Sequence, residues 1–228
     1  MTKQEACERI MQVGIVPVVR ACSADKALRA VEAICQGGIP IAEITMTVPG
    51  AIDVIRGLAK TVGAHVLVGA GTVLNAVTAR QCIDAGAEFL VSPGLDLPTV
   101  EFAISQQKLI MAGALTPTEV MAAANAGADF VKIFPCGQVG GPSYLKALRG
   151  PLPHIRMVPT GGVSLNTAAD FILAGAAALG VGGELVDAEA LHARKPEVIE
   201  QNARRFLSAV RDARAQIARK RAAVAATV

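Results

Sequence analysis

The sequence predicts a single-domain (β/α)8 TIM barrel with an extra N-terminal helix, and three observations lead to that prediction. Short apolar, strand-like segments alternate with helical segments along the chain. Four of the helical segments end in glycine and are followed at once by an apolar strand, in CQGGIPIAEIT, IDAGAEFLVSP, ANAGADFVKIFP and LAGAAALGVGG. Because buried strands that alternate with helices need a parallel sheet covered by helices, eight such units in 228 residues are typical of this barrel.

Each element follows from its local pattern. An amphipathic stretch at 3–12 predicts the extra helix before the first strand. Short apolar runs predict strands at about 14–20 (GIVPVVR), 41–46 (IAEITM), 65–70 (HVLVGA), 88–92 (EFLVS), 109–113 (LIMAG), 129–134 (DFVKIF), 155–159 (IRMVP) and 177–181 (AALGV). The gaps between them predict helices that include 24–36, 50–61, 75–85, 117–126, 166–174 and 196–214. A doubly wound open sheet is the alternative, disfavoured because RACSAD, without GxGxxG, follows the first strand.

Composition and charge predict one barrel domain at 1–214 and a basic, alanine-rich tail at 215–228, expected to be a frayed helix. The chain is 52% hydrophobic and has no proline-rich or charged linker that would divide it. Residues 201–228 hold seven Lys and Arg against one acid, Asp212. Nucleic-acid binding is one interpretation of this basic end. No aromatic or groove-reading motif accompanies it, so we expect a solvated helix and no nucleic-acid partner.

The cysteines and the hydropathy pattern predict a cytoplasmic protein without a disulfide framework or a metal site. No apolar stretch reaches the ~18 residues typical of a membrane span, and MTKQEACERIMQV lacks the core of a signal peptide, so no membrane partner is expected. The five cysteines are odd in number and form no CxxC pair, which fits reduced thiols. The three histidines show no metal-ligand spacing.

Lys132 lies in the middle of the apolar run FVKIFP. Alternation on a strand places it on one face with Phe130 and Phe134, so its amine is expected in apolar surroundings that lower its pKa. A neutral lysine amine is the nucleophile that forms Schiff bases with ketones. The alternative is a lysine at a strand end whose stem covers apolar surface while its head reaches solvent. The run alone does not separate the two interpretations.

Further polar residues fall where the predicted strands end, which is where barrels of this class carry their chemistry. Glu43 lies inside the apolar strand IAEIT, on the same face as Ile41 and Thr45. It is interpreted as a general acid/base whose pKa is raised by burial, or as a structural ion-pair partner of Lys132 or Arg20. The glycine pairs of TGGV and VGGEL follow the last two strands. They predict phosphate binding by backbone N–H groups, with a plain turn as the alternative.

Several longer motifs occur in a fixed order between about residues 10 and 210: VVRA, EITMTVPGA, GAGTVL, VSPGLD, TPTE, FVKIFP, VGGPSYLKALRGPLP and VPTGGV. Together they resemble the 2-keto-3-deoxy-6-phosphogluconate (KDPG) aldolases, a family that includes 4-hydroxy-2-oxoglutarate (KHG) aldolases. The resemblance implies a class I aldolase of carbohydrate metabolism, free of metal and cofactor, and commonly a homotrimer.

By position, the resemblance also implies roles for individual residues. Lys132 would form the Schiff base, Glu43 would move protons, and Phe134 would lie beside the lysine. Arg20, Thr72 and Pro93 would shape the pocket for the pyruvate carboxylate. The substrate phosphate would be held by four glycines, Gly161, Gly162, Gly182 and Gly183.

Two positions depart from the family pattern. Thr47 stands where many members carry an arginine, so carboxylate recognition is expected to depend on Arg20. Many members have a serine in the last glycine loop, where this chain reads Gly182-Gly183-Glu184. A carboxylate that points into the loop would weaken phosphate binding. We expect Glu184 to turn outward, because backbone amides dominate such loops.

The sequence therefore predicts a lyase that reversibly cleaves KDPG to pyruvate and glyceraldehyde 3-phosphate, a step of the Entner-Doudoroff pathway. Related pyruvate aldolases that act on KHG or on 2-keto-3-deoxy-6-phosphogalactonate are the first alternatives. A phosphosugar isomerase or epimerase with Glu43 as its base is another. A non-catalytic protein that binds sugar phosphates or nucleic acid is the last.

Overall fold

The computed structural model describes residues 1–61 and 65–225, and it contains one parallel sheet of eight strands rolled into a nearly closed barrel. The sheet order is β7-β6-β5-β4-β3-β2-β1-β8. A bridge between Thr160 and Gly180 brings the two edge strands together. The strands are β1 Ile15–Val19, β2 Ile41–Thr45, β3 Leu67–Gly71, β4 Phe89–Val91, β5 Leu109–Ala114, β6 Phe130–Ile133, β7 Met157–Pro159 and β8 Leu179–Val181. The predicted (β/α)8 barrel is confirmed, and each strand lies within a few residues of its predicted place.

Helices alternate with the strands and cover the outside of the barrel. They are α1 Lys3–Val13, α2 Ala24–Gln36, α3 Ala51–Thr61, α4 Ala76–Asp84, α5 Leu97–Ser105, α6 Pro117–Asn125, α7 Gly141–Arg149, α8 Ala168–Leu173, α9 Ala188–His192 and α10 Pro196–Ala225, with a 3-10 turn at Gly137–Val139. The extra helix before β1 is present as α1. Several helices begin at a side-chain cap, as where Ser23 accepts a hydrogen bond from the N–H of Lys26.

The four glycine stops end helices as predicted. Gly38, Gly86, Gly127 and Gly175 all have φ between +93° and +103°. In each case the next residue donates its N–H to a carbonyl five residues back, as Ile39 does to Ile34. A left-handed residue closed by such a hydrogen bond ends a helix and turns the chain directly into the next strand. These stops therefore set the spacing of the strands.

The strands are buried along their whole length, and their side chains form a continuous apolar core with the inner faces of the helices. Burial of Ile, Val, Leu and Ala side chains on both faces of a parallel sheet is the main force that holds such a barrel together. The long helix α10 packs against α2 and α8. Because the strands are fixed on both faces, their carboxyl ends form a rigid platform for side chains.

The end of α10 carries the predicted tail. The helix continues without a break past 214 to Ala225, and it is exposed beyond Ile217. Residues 226–228 of the predicted tail lie outside the described residues, so the assignment of 215–228 as a separate frayed segment stays a prediction. In the described parts of the chain, no helix has the length and hydropathy needed to cross a membrane.

Candidate active site

Lys132 is the third of the four residues of β6. Its neighbours in register are Gly113 on β5 and Val158 on β7, and only 4% of the side chain is exposed. The amine nitrogen lies 5.1 Å from the centre of the Phe134 ring. Burial lowers the pKa of Lys132, the charge of Glu43 acts against that shift, and Arg20 adds to it. The interpretation of Lys132 as a solvated strand-end lysine is therefore wrong.

Glu43 is the third residue of β2 and is 2% exposed. Burial raises the pKa of this carboxyl, whereas the positive charges of Lys132 and Arg20 act to lower it. Its Oε1 atom is buried and has no hydrogen-bond partner in the described chain. No ion pair joins it to Lys132 or Arg20 within residues 1–61 and 65–225, so the structure does not support a structural ion pair.

Gly71 creates the space that the Glu43 carboxyl fills. A Cβ atom placed on Gly71 would lie 1.9 Å from Oε1 of Glu43 and 2.6 Å from its Cδ. The two residues sit on neighbouring strands, where Glu43 pairs with Gly69 and Thr45 with Gly71. The position of the carboxyl therefore depends on the absence of a side chain on β3. Sequence reasoning missed this residue, because the GAGT motif does not reveal which strand face its glycines adjoin.

Arg20 lies at the end of β1 and is exposed. At Thr47, where many family members carry an arginine, the hydroxyl lies 2.6 Å from that of Thr45, and Thr45 donates to the carbonyl of Val19 at 3.1 Å. Arg20 influences the pKa values of both Glu43 and Lys132. It is thus the guanidinium group that the structure brings to the buried pair.

Thr72 and Pro93 follow β3 and β4 at the same end of the barrel. Thr72 adopts φ 57°, a left-handed conformation that is uncommon for a β-branched residue and that marks functional loops. Pro93 packs against the bare backbone of Gly113, where a Cβ atom would lie 2.2 Å from its carbonyl carbon. Ser92 donates a hydrogen bond to the Gly94 carbonyl at 2.6 Å and fixes this turn.

A cleft of about 230 Å³ opens on the side of β7 and β8, and neither Lys132 nor Glu43 is among its lining residues. It contains all four predicted phosphate glycines, whereas Thr72 and Pro93 lie outside its lining. The lining residues are Val18, Arg20, Phe134, Thr160, Gly161, Gly162, Val163, Ser164, Gly180, Gly182, Gly183 and Glu184. The Phe134 ring borders both the cleft and the lysine amine, and it connects the two parts of the site.

The two glycine pairs of the cleft differ in their backbone conformation. Gly161 and Gly162 have φ of 79° and 80°, and Gly162 also touches the backbone of Gly137, so both positions need glycine. At Gly182 and Gly183 an added Cβ atom would meet nothing within 4 Å. The second pair therefore faces open space that a ligand can enter. Ser164, which sequence reasoning did not single out, also borders this space.

Glu184 follows these glycines and is exposed, but it lines the cleft together with Arg20. The expectation that Glu184 turns away from the cleft does not agree with this arrangement. In the described residues, no group of three or more His, Cys, Asp or Glu side chains could hold a metal ion. Cys136, close to the lysine in sequence, is fully buried, and burial raises its pKa to about 11, so its thiol is unreactive at neutral pH.

The family model and the similar protein sequences agree on one family. The family model described as KDPG and KHG aldolase matches residues 7–202. A KHG/KDPG aldolase of Escherichia coli (strain K12) is 36% identical over 201 residues, which is 87% of this chain and 93% of that protein.

Two solved structures extend the comparison. KDPG aldolase from Legionella pneumophila, with pyruvate captured as a covalent carbinolamine, has a TM-score of 0.81 and 28% identity, covering 87% of this chain and 96% of that chain. A cube-shaped cage designed by fusing symmetric oligomeric domains has a TM-score of 0.86 and 29% identity, covering 95% of this chain and 78% of that chain.

Proposed function

Because this chain belongs to the KDPG and KHG aldolase family, we propose that it is a class I aldolase that reversibly cleaves KDPG to pyruvate and glyceraldehyde 3-phosphate. One observation carries the proposal: Lys132 and Glu43 are both buried and electrostatically coupled, yet they form no ion pair in the described chain. Keeping two ionisable groups unpaired in a core costs stability. A substrate that bonds to both groups would offset this cost, which explains why the two groups are kept unpaired.

The reaction begins at Lys132. Burial lowers its pKa, so a larger fraction of the amine is neutral at the working pH and attacks the C2 ketone of the substrate. Loss of water from the carbinolamine gives a protonated imine. This cation accepts the electron pair when the bond between C3 and C4 breaks, which releases the aldehyde. The resulting enamine is protonated at C3, and hydrolysis then frees pyruvate and the lysine.

Glu43 is suited to moving the protons in these steps. Burial raises its pKa, which favours a carboxyl that donates a proton in one step and accepts a proton in another. It assists the loss of water from the carbinolamine and then takes the proton of the C4 hydroxyl. The unpartnered Oε1 atom provides the acceptor for that hydroxyl. A phosphosugar isomerase would need the same carboxylate but would have no use for a desolvated amine.

The two ends of the substrate would bind in different parts of the site, and Arg20 borders both parts. We assign the pyruvate carboxylate to Arg20, Thr72 and Pro93. The phosphate would lie in the cleft, held by backbone N–H groups of the two glycine pairs Gly161-Gly162 and Gly182-Gly183. The open space above Gly182 and Gly183 supports the second assignment.

The experiment that tests this function measures pyruvate release from three keto acids. Purified protein is incubated with KDPG, its galactonate epimer or KHG, and pyruvate is followed with lactate dehydrogenase and NADH. We expect the highest kcat/KM with KDPG and no activity in Lys132→Ala. Absence of pyruvate from all three acids, with a correctly folded protein, would overturn the proposal. A clear preference for KHG or the epimer would correct the substrate.

We also propose that the chain forms a homotrimer. Three large apolar side chains on or beside the neighbouring helices α4 and α5 are strongly exposed: Leu74 at 59%, Val77 at 70% and Leu97 at 50%. Exposed apolar patches of this kind mark protein interfaces. The similar chain in the designed cage, built from symmetric oligomers, supports an assembling surface. Light scattering should give three times the chain mass, and Val77→Arg should reduce it, whereas a native monomer would refute the proposal.

The five free thiols support a cytoplasmic location, because exposed thiols such as that of Cys22 persist in reducing compartments. Fractionation of the native host would test this location, and recovery outside the cytoplasm would contradict it.

A further inference from the structure

We propose that Glu184 is a specificity-determining residue, which weakens the enzyme's preference for keto acids that carry a distal phosphate over the same acids without one. The inference rests on the proposed function, since it concerns the distal end of the same substrate cleft. It assigns to this chain a weaker preference for phosphate than its glycine loops alone would produce.

The position of Glu184 follows from the strands that frame the cleft. In the register between β1 and β8, Pro17 pairs with Val181. Arg20 follows Pro17 by three residues, and Glu184 follows Val181 by three residues. The two charged residues therefore leave the barrel at the same edge. Both are exposed and both line the cleft.

The turn after β8 holds Glu184 at this edge. Leu185 and Val186 both donate their N–H groups to the carbonyl of Gly182, at 3.0 and 2.9 Å. Their side chains are buried, and Asp187 then caps α9. Because the residues on either side are fixed, the Glu184 side chain starts from a defined point beside Gly183.

The charge of the cleft is balanced by these two residues. Arg20 and Glu184 are its only ionisable lining residues in the described chain, and no ion pair joins them there. A phosphate dianion that binds to the glycine backbone is attracted by Arg20 and repelled by Glu184. An uncharged hydroxymethyl group in the same place experiences neither effect. Glu184 therefore lowers the discrimination between a phosphorylated substrate and its unphosphorylated counterpart.

The test uses one matched pair of substrates, KDPG and 2-keto-3-deoxygluconate, which differ only in the phosphate. We compare the ratio of their kcat/KM values in the native protein, in Glu184→Gln and in Glu184→Ala. Glu189→Gln is the control, because this exposed residue on α9 lies outside the cleft lining and its replacement changes the net charge equally. Circular dichroism checks that each variant folds, and Glu184→Ala guards against an effect specific to glutamine.

We expect both Glu184 variants to raise the ratio by about three- to tenfold, the effect of one screened charge across an open cleft, mainly through a lower KM for KDPG. The gain should shrink at 0.5 M salt, and Glu189→Gln should change the ratio less than twofold. An unchanged ratio in both Glu184 variants would overturn the inference, as would an equal gain in Glu189→Gln. If the native protein releases pyruvate from neither substrate and traps none on Lys132, the proposed function itself fails, and this inference fails with it.

Discussion

Replacing Gly71 with alanine should displace the Glu43 carboxyl while leaving the Lys132 amine in place. The new Cβ would lie 1.9 Å from Oε1, 2.6 Å from Cδ and 2.8 Å from Cγ of Glu43. Non-bonded heavy atoms rest about 3.5–4.0 Å apart, so the carboxylate oxygen has to retreat by roughly 1 Å or more. A misplacement of about 1 Å in a reacting group costs about 10²-fold in rate. We therefore expect kcat for KDPG cleavage to fall by about 10²-fold.

The assay combines turnover with trapping of pyruvate by borohydride. Gly71→Ala should still trap pyruvate on Lys132, because the amine is not displaced, but it should turn over slowly. Gly57→Ala is the control: this glycine lies in α3, an added Cβ there meets nothing within 4 Å, and alanine favours a helix by about 0.5–1 kcal/mol.

A double variant distinguishes displacement of the Glu43 carboxyl from a general loss of stability in the barrel. If the loss arises from contact with Glu43, shortening that residue in Glu43→Ala should remove most of the stability cost of Gly71→Ala, and the two changes should be non-additive in the free energy of unfolding. Native turnover in a folded Gly71→Ala protein would show that the position of the Glu43 carboxyl does not limit the reaction. A stability loss that is unchanged in the double variant would show that the methyl group disturbs the barrel by another route.

Three further predictions follow from single interactions. Glu43→Gln should reduce turnover by about 10²- to 10⁴-fold while slow trapping of pyruvate persists, since glutamine keeps the shape but not the titrating proton; normal turnover would make Glu43 structural. The rate of pyruvate trapping should rise with pH through a midpoint below the ~10.4 of ordinary lysine, because burial lowers the pKa of Lys132 and only the neutral amine attacks. Removal of the Glu43 charge, which acts to raise that pKa, should move the midpoint lower still, and an ordinary midpoint in both proteins would contradict the account. Arg214→Ala should lower the free energy of unfolding by about 1–3 kcal/mol, because Arg214 donates to the carbonyls of Met11 and Gln12, both at 2.7 Å, at the end of α1. Arg205→Ala, on the exposed side of the same helix, should change it by less than about 0.5 kcal/mol in the same denaturant titration.

Much of the fold could be predicted from sequence because its signals are local. The residue type alone predicts the glycine stops at Gly38, Gly86, Gly127 and Gly175, since only glycine adopts such φ values freely. Period-two alternation in FVKIFP predicted which neighbours share the face of Lys132, but the run alone left its burial open, and the structure shows that the side chain is buried.

Helices with weak or short patterns were not located from sequence. No bounds could be assigned to α5, α7 or α9, of which α9 spans five residues and α5 is apolar on most sides. The continuation of α10 beyond 214 had no sequence marker either, because the Ala- and Arg-rich segment favours a helix whether or not it packs.

The parts of the site that sequence reasoning missed depend on contacts between strands. The space beside Gly71 exists only because β2 and β3 pair in one register, and the cleft position of Glu184 depends on the turn after β8. Residue type does not reveal that Glu43 and Lys132 form no ion pair, because an ion pair depends on the distance between their charged groups. Motif order predicted which residues converge, but their separations had to come from the structure.

The most direct test of the account is to locate the covalent bond to pyruvate. The protein is incubated with pyruvate and sodium borohydride at neutral pH, digested, and mapped by mass spectrometry. We expect one irreversible adduct of reduced pyruvate, on the peptide that contains Lys132, and none in Lys132→Ala. An adduct on another lysine, or no adduct in an active protein, would contradict it.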